Sequence, residues 1–67
     1  MELKKIETAA TTITATLEEE GIMSLNELQE MTNLEEKEVL MALDWLQEKE
    51  RVELLPAGKV VSVMLVF

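Results

Sequence analysis

Cysteine and histidine are both missing from this 67-residue chain, which also has one proline, two glycines and only two aromatic side chains, Trp45 and Phe67. Each shortage removes a class of function. Without cysteine there is no disulfide framework and no thiolate metal site. Without histidine the commonest general base is gone, and Ser24 is better explained as a helix cap than as a nucleophile. Carboxylates are plentiful, in Glu18-Glu19-Glu20 and in Glu35, Glu36 and Glu38. They fall at the ends of expected helices, where solvated acids are ordinary. No loop offers the spaced oxygen ligands and sharp glycine turn that a hard cation requires. The chain is therefore expected not to be an enzyme, and no cofactor, metal or small-molecule ligand is expected. Bases are scarce as well: six Lys and Arg face fourteen Asp and Glu, a net charge of −8. Such a field repels phosphate backbones. The opening Met1-Glu2-Leu3-Lys4-Lys5 has no unbroken apolar run, so neither a signal peptide nor a membrane span is expected, and a cytoplasmic setting is the default.

What the chain does have is a hydrophobic fraction of 48%, globular in spite of the charge. Its length suits one domain, residues 1–67, in which only about 60% of the unfolded surface can be buried, so the core is small. Ile6, Ala10, Ile13 and Leu17 recur at steps of four and three, one face of an amphipathic helix from Leu3 to Glu20, with Thr8, Thr11 and Thr12 on the other side. Thr12 to Leu17 also alternates as a strand would. The longer period spans the whole segment and Gly21 supplies a stop, which favours the helix.

Ile22-Met23 is a short apolar bridge able to form a small strand. Ser24 and Glu27 then fit a capping box, the hydroxyl on the Glu27 amide and the carboxylate returning to Ser24. The short helix that follows should turn Leu25, Leu28 and Met31 inward and break at Thr32-Asn33, with Leu34 buried in the turn. Glu35, Glu36 and Glu38 suit the positive end of a third helix, which buries Val39, Ala42, Leu43 and Leu46 and runs to about Lys49. From Arg51 onward, Val52 and Leu54 alternate with charged residues, Pro56 to Lys59 supplies a turn, and Val60 to Phe67 is β-branched and apolar, so a hairpin is expected. Helix, helix, turn, helix, hairpin is the order of an α+β winged helix-turn-helix, three helices with a two- or three-stranded wing.

Three segments carry a family resemblance: Gly-Ile-Met-Ser-Leu-Asn-Glu-Leu (21–28), Met-Thr-Asn-Leu (31–34) and Ala-Leu-Asp-Trp-Leu-Gln-Glu-Lys-Glu-Arg-Val (42–52). Together they resemble the small stand-alone winged helix-turn-helix domains of bacteria and archaea, a family with no assigned activity. Trp45 in its Ala-Leu-X-Trp-Leu frame is the most specific element. Asp44 stands where that family is expected to carry a small residue. The resemblance implies DNA binding or regulation, by analogy of fold.

The residues themselves point elsewhere. In a helix-turn-helix the outward face of the recognition helix enters the major groove, and Lys, Arg, Asn or Gln reads the bases. Here the outward positions are Lys37, Met41, Asp44 and Glu48, flanked by Glu36 and Leu40, and residues 35–48 hold one base against five acids. Lys37, Leu40, Met41 and Asp44 form the candidate interaction face. Lys59 in the wing and Lys4 and Lys5 at the N-terminus are the other candidate phosphate contacts. The apolar surplus favours protein contact, since Leu40 and Met41 cannot both join the core stripe. The last strand is apolar on both faces, which makes Val63, Leu65 and Phe67 candidates for an exposed edge open to pairing. A bland alternative is that these residues cover the first helix. Trp45 either closes the core against the hairpin or the first helix, or anchors an interface. The leading expectation is a protein-interaction module that docks a partner or forms a homodimer, and the second is a dimeric DNA-binding regulator using residues 35–48.

Overall fold

The computed structural model describes residues 3–66. The elements run α1 (Leu3–Glu20), β1 (Met23–Ser24), α2 (Leu25–Thr32), α3 (Glu36–Glu48), β2 (Val52–Ala57) and β3 (Val60–Leu65). In α1 the helical period wins over local alternation because it gives one continuous apolar face: Ala9, Ala10, Ile13 and Leu17 are all buried. The threonines are accommodated by bonding back to the turn before. Thr8, Thr11, Thr12 and Thr16 each donate a hydroxyl proton to the carbonyl four residues earlier, at 2.9–3.1 Å. Gly21 ends the helix with φ +85°, and its amide donates to the Leu17 carbonyl at 2.8 Å.

The capping box at Ser24 forms as expected. The Glu27 amide donates to the Ser24 hydroxyl, and the Ser24 amide to the Glu27 carboxylate, each at 3.2 Å. Leu28 is buried and Leu25 half-buried, but Met31, expected inward, is 57% exposed. The inward stripe of α2 continues from Leu25 and Leu28 to Thr32, a full turn beyond Leu28. Thr32 is compatible with that position because its hydroxyl donates to the Leu28 carbonyl at 2.7 Å. Asn33 then stops the helix in the left-handed region, φ 57°, and Leu34 packs half-buried against the core. In α3 the residues Val39, Ala42, Leu43 and Leu46 are buried as their spacing requires. Glu50, also left-handed at φ 57°, turns the chain into β2, with the Arg51 amide returning to the Leu46 carbonyl at 2.9 Å.

The sheet corrects the expectation for the C-terminal strand. Its order is β1-β3-β2, all antiparallel, so β3 is the central strand and not an exposed edge. Met23 and Leu54 flank Val63 on either side, and Val63 is fully buried. Leu65, paired with Val52, is half-buried on the same face. Phe67 lies outside the described residues. The cause is β1: two residues from between the first two helices occupy the free side of β3, satisfying its backbone there. The hairpin also turns more tightly than expected. Pro56 and Ala57 pair with Val61 and Val60, leaving Gly58-Lys59 as a two-residue turn with Gly58 at φ +65°. Pro56 is tolerated because β2 is an edge strand. One face of the sheet joins the helices in a core of Ile13, Leu17, Leu28, Leu43 and Val63, among others. The other face is open. It presents Leu55, Val60 and Met64, of which Val60 is 54% exposed.

Candidate functional site

The exposed side of α3 follows from the same periodicity that builds the core. With Val39, Ala42, Leu43 and Leu46 inward, the period sets Lys37, Met41 and Asp44 on the opposite side and Leu40 on its flank. Leu40 is 48% exposed, Lys37 and Asp44 are exposed, and Met41 is half-buried. Lys37, Leu40 and Met41 come together with Glu35 and Glu36 around a shallow concavity of about 600 Å³. Leu40 also borders a second hollow of about 120 Å³ between α2 and α3, beside Leu25, Gln29 and Val39. Asp44 lies one turn further along, outside both. Lys59 sits exposed in the hairpin turn, and Val63 and Leu65 belong to the core side of the sheet, apart from this face.

The start of α3 is held by its own acids. The Glu38 carboxylate accepts from the Glu35 amide at 3.2 Å, and Glu36 and Glu38 occupy the first turn, where the helix dipole favours negative charge. The chemistry of the face is that of an apolar centre, Leu40 and Met41, with Glu35, Glu36 and the one cation Lys37 beside it and Asp44 a turn beyond. Among the described residues no polar or charged side chain is buried, and no cluster of three or more acids has a geometry that could hold a metal ion. No helix among them is long and apolar enough to cross a membrane. Trp45 is half-buried against the core, and the Lys49 ammonium lies 4.8 Å from its ring centroid.

Two further surfaces lie outside the expected site residues. The open sheet face accounts for the surplus of a last strand apolar on both sides, but it presents Leu55, Val60 and Met64 and not Val63 and Leu65. The second is the flank of α1, where Lys4, Lys5, Thr8 and Thr12 with Leu34 and Glu38 of the neighbouring segment line a groove of about 430 Å³. Its signal was present: residues 8–17 hold no charge, although 30% of the chain is charged.

The architecture is three helices in helix-turn-helix order with a three-stranded antiparallel wing. A family model described as "Winged helix-turn-helix domain (DUF2582)" matches residues 1–65. The chain belongs to that family. Among solved structures, this winged helix is similar to a mutant of MarR from E. coli complexed with operator DNA, with a TM-score of 0.76 and 19% identity. That likeness covers 98% of the present chain and 46% of the other, so the domain spans about half of that chain. At this identity the likeness concerns the fold alone. No curated protein matches the sequence.

Proposed function

We propose that this winged helix is a non-catalytic interaction module that meets protein, a partner or a second copy, rather than DNA. The observation that carries it is the exposed face of α3. Leu40 and Met41 form an apolar centre there, with Glu35, Glu36 and the single cation Lys37 at one end and the exposed Asp44 one turn further along. A helix that reads a major groove lies between two phosphate backbones, and its affinity comes largely from basic neutralisation of them. This helix would bring acids to both. An apolar centre with a charged rim is the usual anatomy of a protein contact. A non-catalytic role is supported by the outward placement of the acids and by the absence of buried polar groups among the described residues.

A second reading, a dimeric DNA-binding regulator, draws support from the similarity to a structure solved on operator DNA. In it α3 would enter the groove with Lys37 leading, and Lys59 in the wing would touch phosphate. Titrating the labelled domain with mixed-sequence duplex DNA at low salt, followed by amide chemical shifts, separates the two. The interaction module predicts no shift along Lys37–Asp44 or at Lys59. Salt-reversible shifts at both places, lost in Lys37→Ala and Lys59→Ala, would overturn it in favour of the regulator.

A further inference from the structure

The first helix is charged the wrong way round for its own dipole. Among the described residues, Lys4 and Lys5 occupy the first turn of α1 and Glu18, Glu19 and Glu20 the last, with no acid in that first turn and no base in the last. A helix favours anions at its N-terminal end, where amide protons are unpaired, and cations at its C-terminal end. Both ends of α1 therefore set like sign against like. The two ends cannot relieve one another, because fifteen positions separate Lys4 from Glu19, about 22 Å along the axis. The nearest opposite charges are Glu7, one turn from Lys4, and Arg51, which borders the hollow beside Glu18. Glu38 of α3 borders the groove beside Lys4 and Lys5, but its carboxylate already accepts the Glu35 amide.

The outward side of α1 has a definite content. Opposite Ala9, Ala10, Ile13 and Leu17, at 100° per residue, come Lys4, Thr8, Thr11, Ala15, Glu18 and Glu19, all six exposed. Thr8 and Thr11 already donate their hydroxyl protons to backbone carbonyls at 2.9 Å, so covering them strands no donor. Small side chains in the middle let another helix come close. The ends are complementary in charge to the same face reversed.

We infer that this face pairs with the same face of a second copy, antiparallel about a twofold axis beside Thr11. One register satisfies the whole stripe. Lys4 meets Glu18 and Glu19 of the second copy, Thr8 meets its Ala15, and Thr11 meets its Thr11 and Thr12. The contact of Lys4 with Glu18 and Glu19 then occurs twice in the dimer, once on each side of the axis, as an isologous contact requires. The inference rests on the reading of the domain as a protein-contact module, but it uses a face separate from that of α3.

The test is sedimentation of the full chain over a range of concentrations, with two charge reversals, Lys4→Glu/Lys5→Glu and Glu18→Lys/Glu19→Lys. Each alone should raise the monomer–dimer midpoint at least about tenfold, since attraction becomes repulsion at both ends. An equimolar mixture of the two should restore association, because each reversed helix complements the other. The chain has no cysteine, so Thr11→Cys should cross-link to itself on mild oxidation while the exposed Glu48→Cys on α3 does not. A chain that stays monomeric up to ~1 mM, a midpoint unmoved by either reversal, a mixture that fails to recover, or equal cross-linking at both cysteines overturns the pairing. DNA-induced shifts along Lys37–Asp44 would instead sink the module reading, so the two failures are distinguishable.

Discussion

Val63→Ala measures how deeply the inner face of β3 is buried against the helices. Val63 is fully buried between Met23 and Leu54 and faces the helices. Truncation removes the equivalent of two methylenes, about 1.6 kcal/mol at roughly 0.8 kcal/mol each. The cavity adds on the order of 1 kcal/mol, because helices and strands on all sides limit collapse. The expected loss is about 2.5 kcal/mol, set against a total stability of roughly 3–10 kcal/mol for a chain of this length. Val60→Ala in the same strand is the matched control. Val60 is 54% exposed on the open face, opposite Ala57, and its truncation should cost within about 0.5 kcal/mol of nothing. Both changes lose the same strand preference, so their difference isolates burial. Urea unfolding followed by the emission of Trp45, the single tryptophan, reads both at one fixed protein concentration. The urea slopes should match wild type while the Val63→Ala midpoint falls well below that of Val60→Ala. A gap under about 1 kcal/mol would refute the burial of Val63 and return its side chain to an exposed face.

Two further changes probe how the helices and the wing are connected. Ser24→Ala removes the acceptor of the Glu27 amide and should cost about 1 kcal/mol, a fall in Tm of roughly 4–8 °C by circular dichroism. Gly58→Ala meets no atom within 4 Å of the added carbon, so its cost is backbone strain alone at φ +65°, about 1–2 kcal/mol. Gly58→Asn should recover part of that loss, and an Ala variant as stable as wild type would rule out the tight turn.

Periodicity alone makes the helices legible in the sequence. The stripe Val39, Ala42, Leu43 and Leu46, the stop at Gly21 and the Ser24–Glu27 cap are local patterns, each set by residues within a few positions of one another. The errors lie where a partner distant in sequence decides. Val63 and Leu65 resemble an edge because β1 has only two residues and no period of its own, yet it pairs with β3 at Ser62 and Val63. Met31 reads as inward from its spacing to Leu28. Thr32 takes that place because its hydroxyl bonds within the helix and so carries no penalty for partial burial. On the α3 face, Lys37, Leu40 and Met41 come together because all three lie on one helix. Lys59 belongs to another element, and helical spacing says nothing about its position relative to them.

The two proposed surfaces bear on one another through the small number of cations. The chain has six bases: Lys4, Lys5, Lys37, Lys49, Arg51 and Lys59. A DNA-binding dimer would have to gather such scattered charges into a stripe facing one duplex, because phosphate neutralisation supplies the affinity. Antiparallel pairing through α1 places Lys4 of each copy against Glu18 and Glu19 of the other and draws Lys5 to the same acidic end. It also doubles the net charge of −8 carried by each chain. Lys49 is already engaged with the Trp45 ring, which leaves Lys37, Arg51 and Lys59 to face a net acidic surface. The α1 dimer thus makes contact with DNA less favourable, while leaving the α3 face of each copy open. Because the same lysines cannot serve both surfaces, a positive result for the α1 pairing would itself count in favour of the protein-contact role of α3.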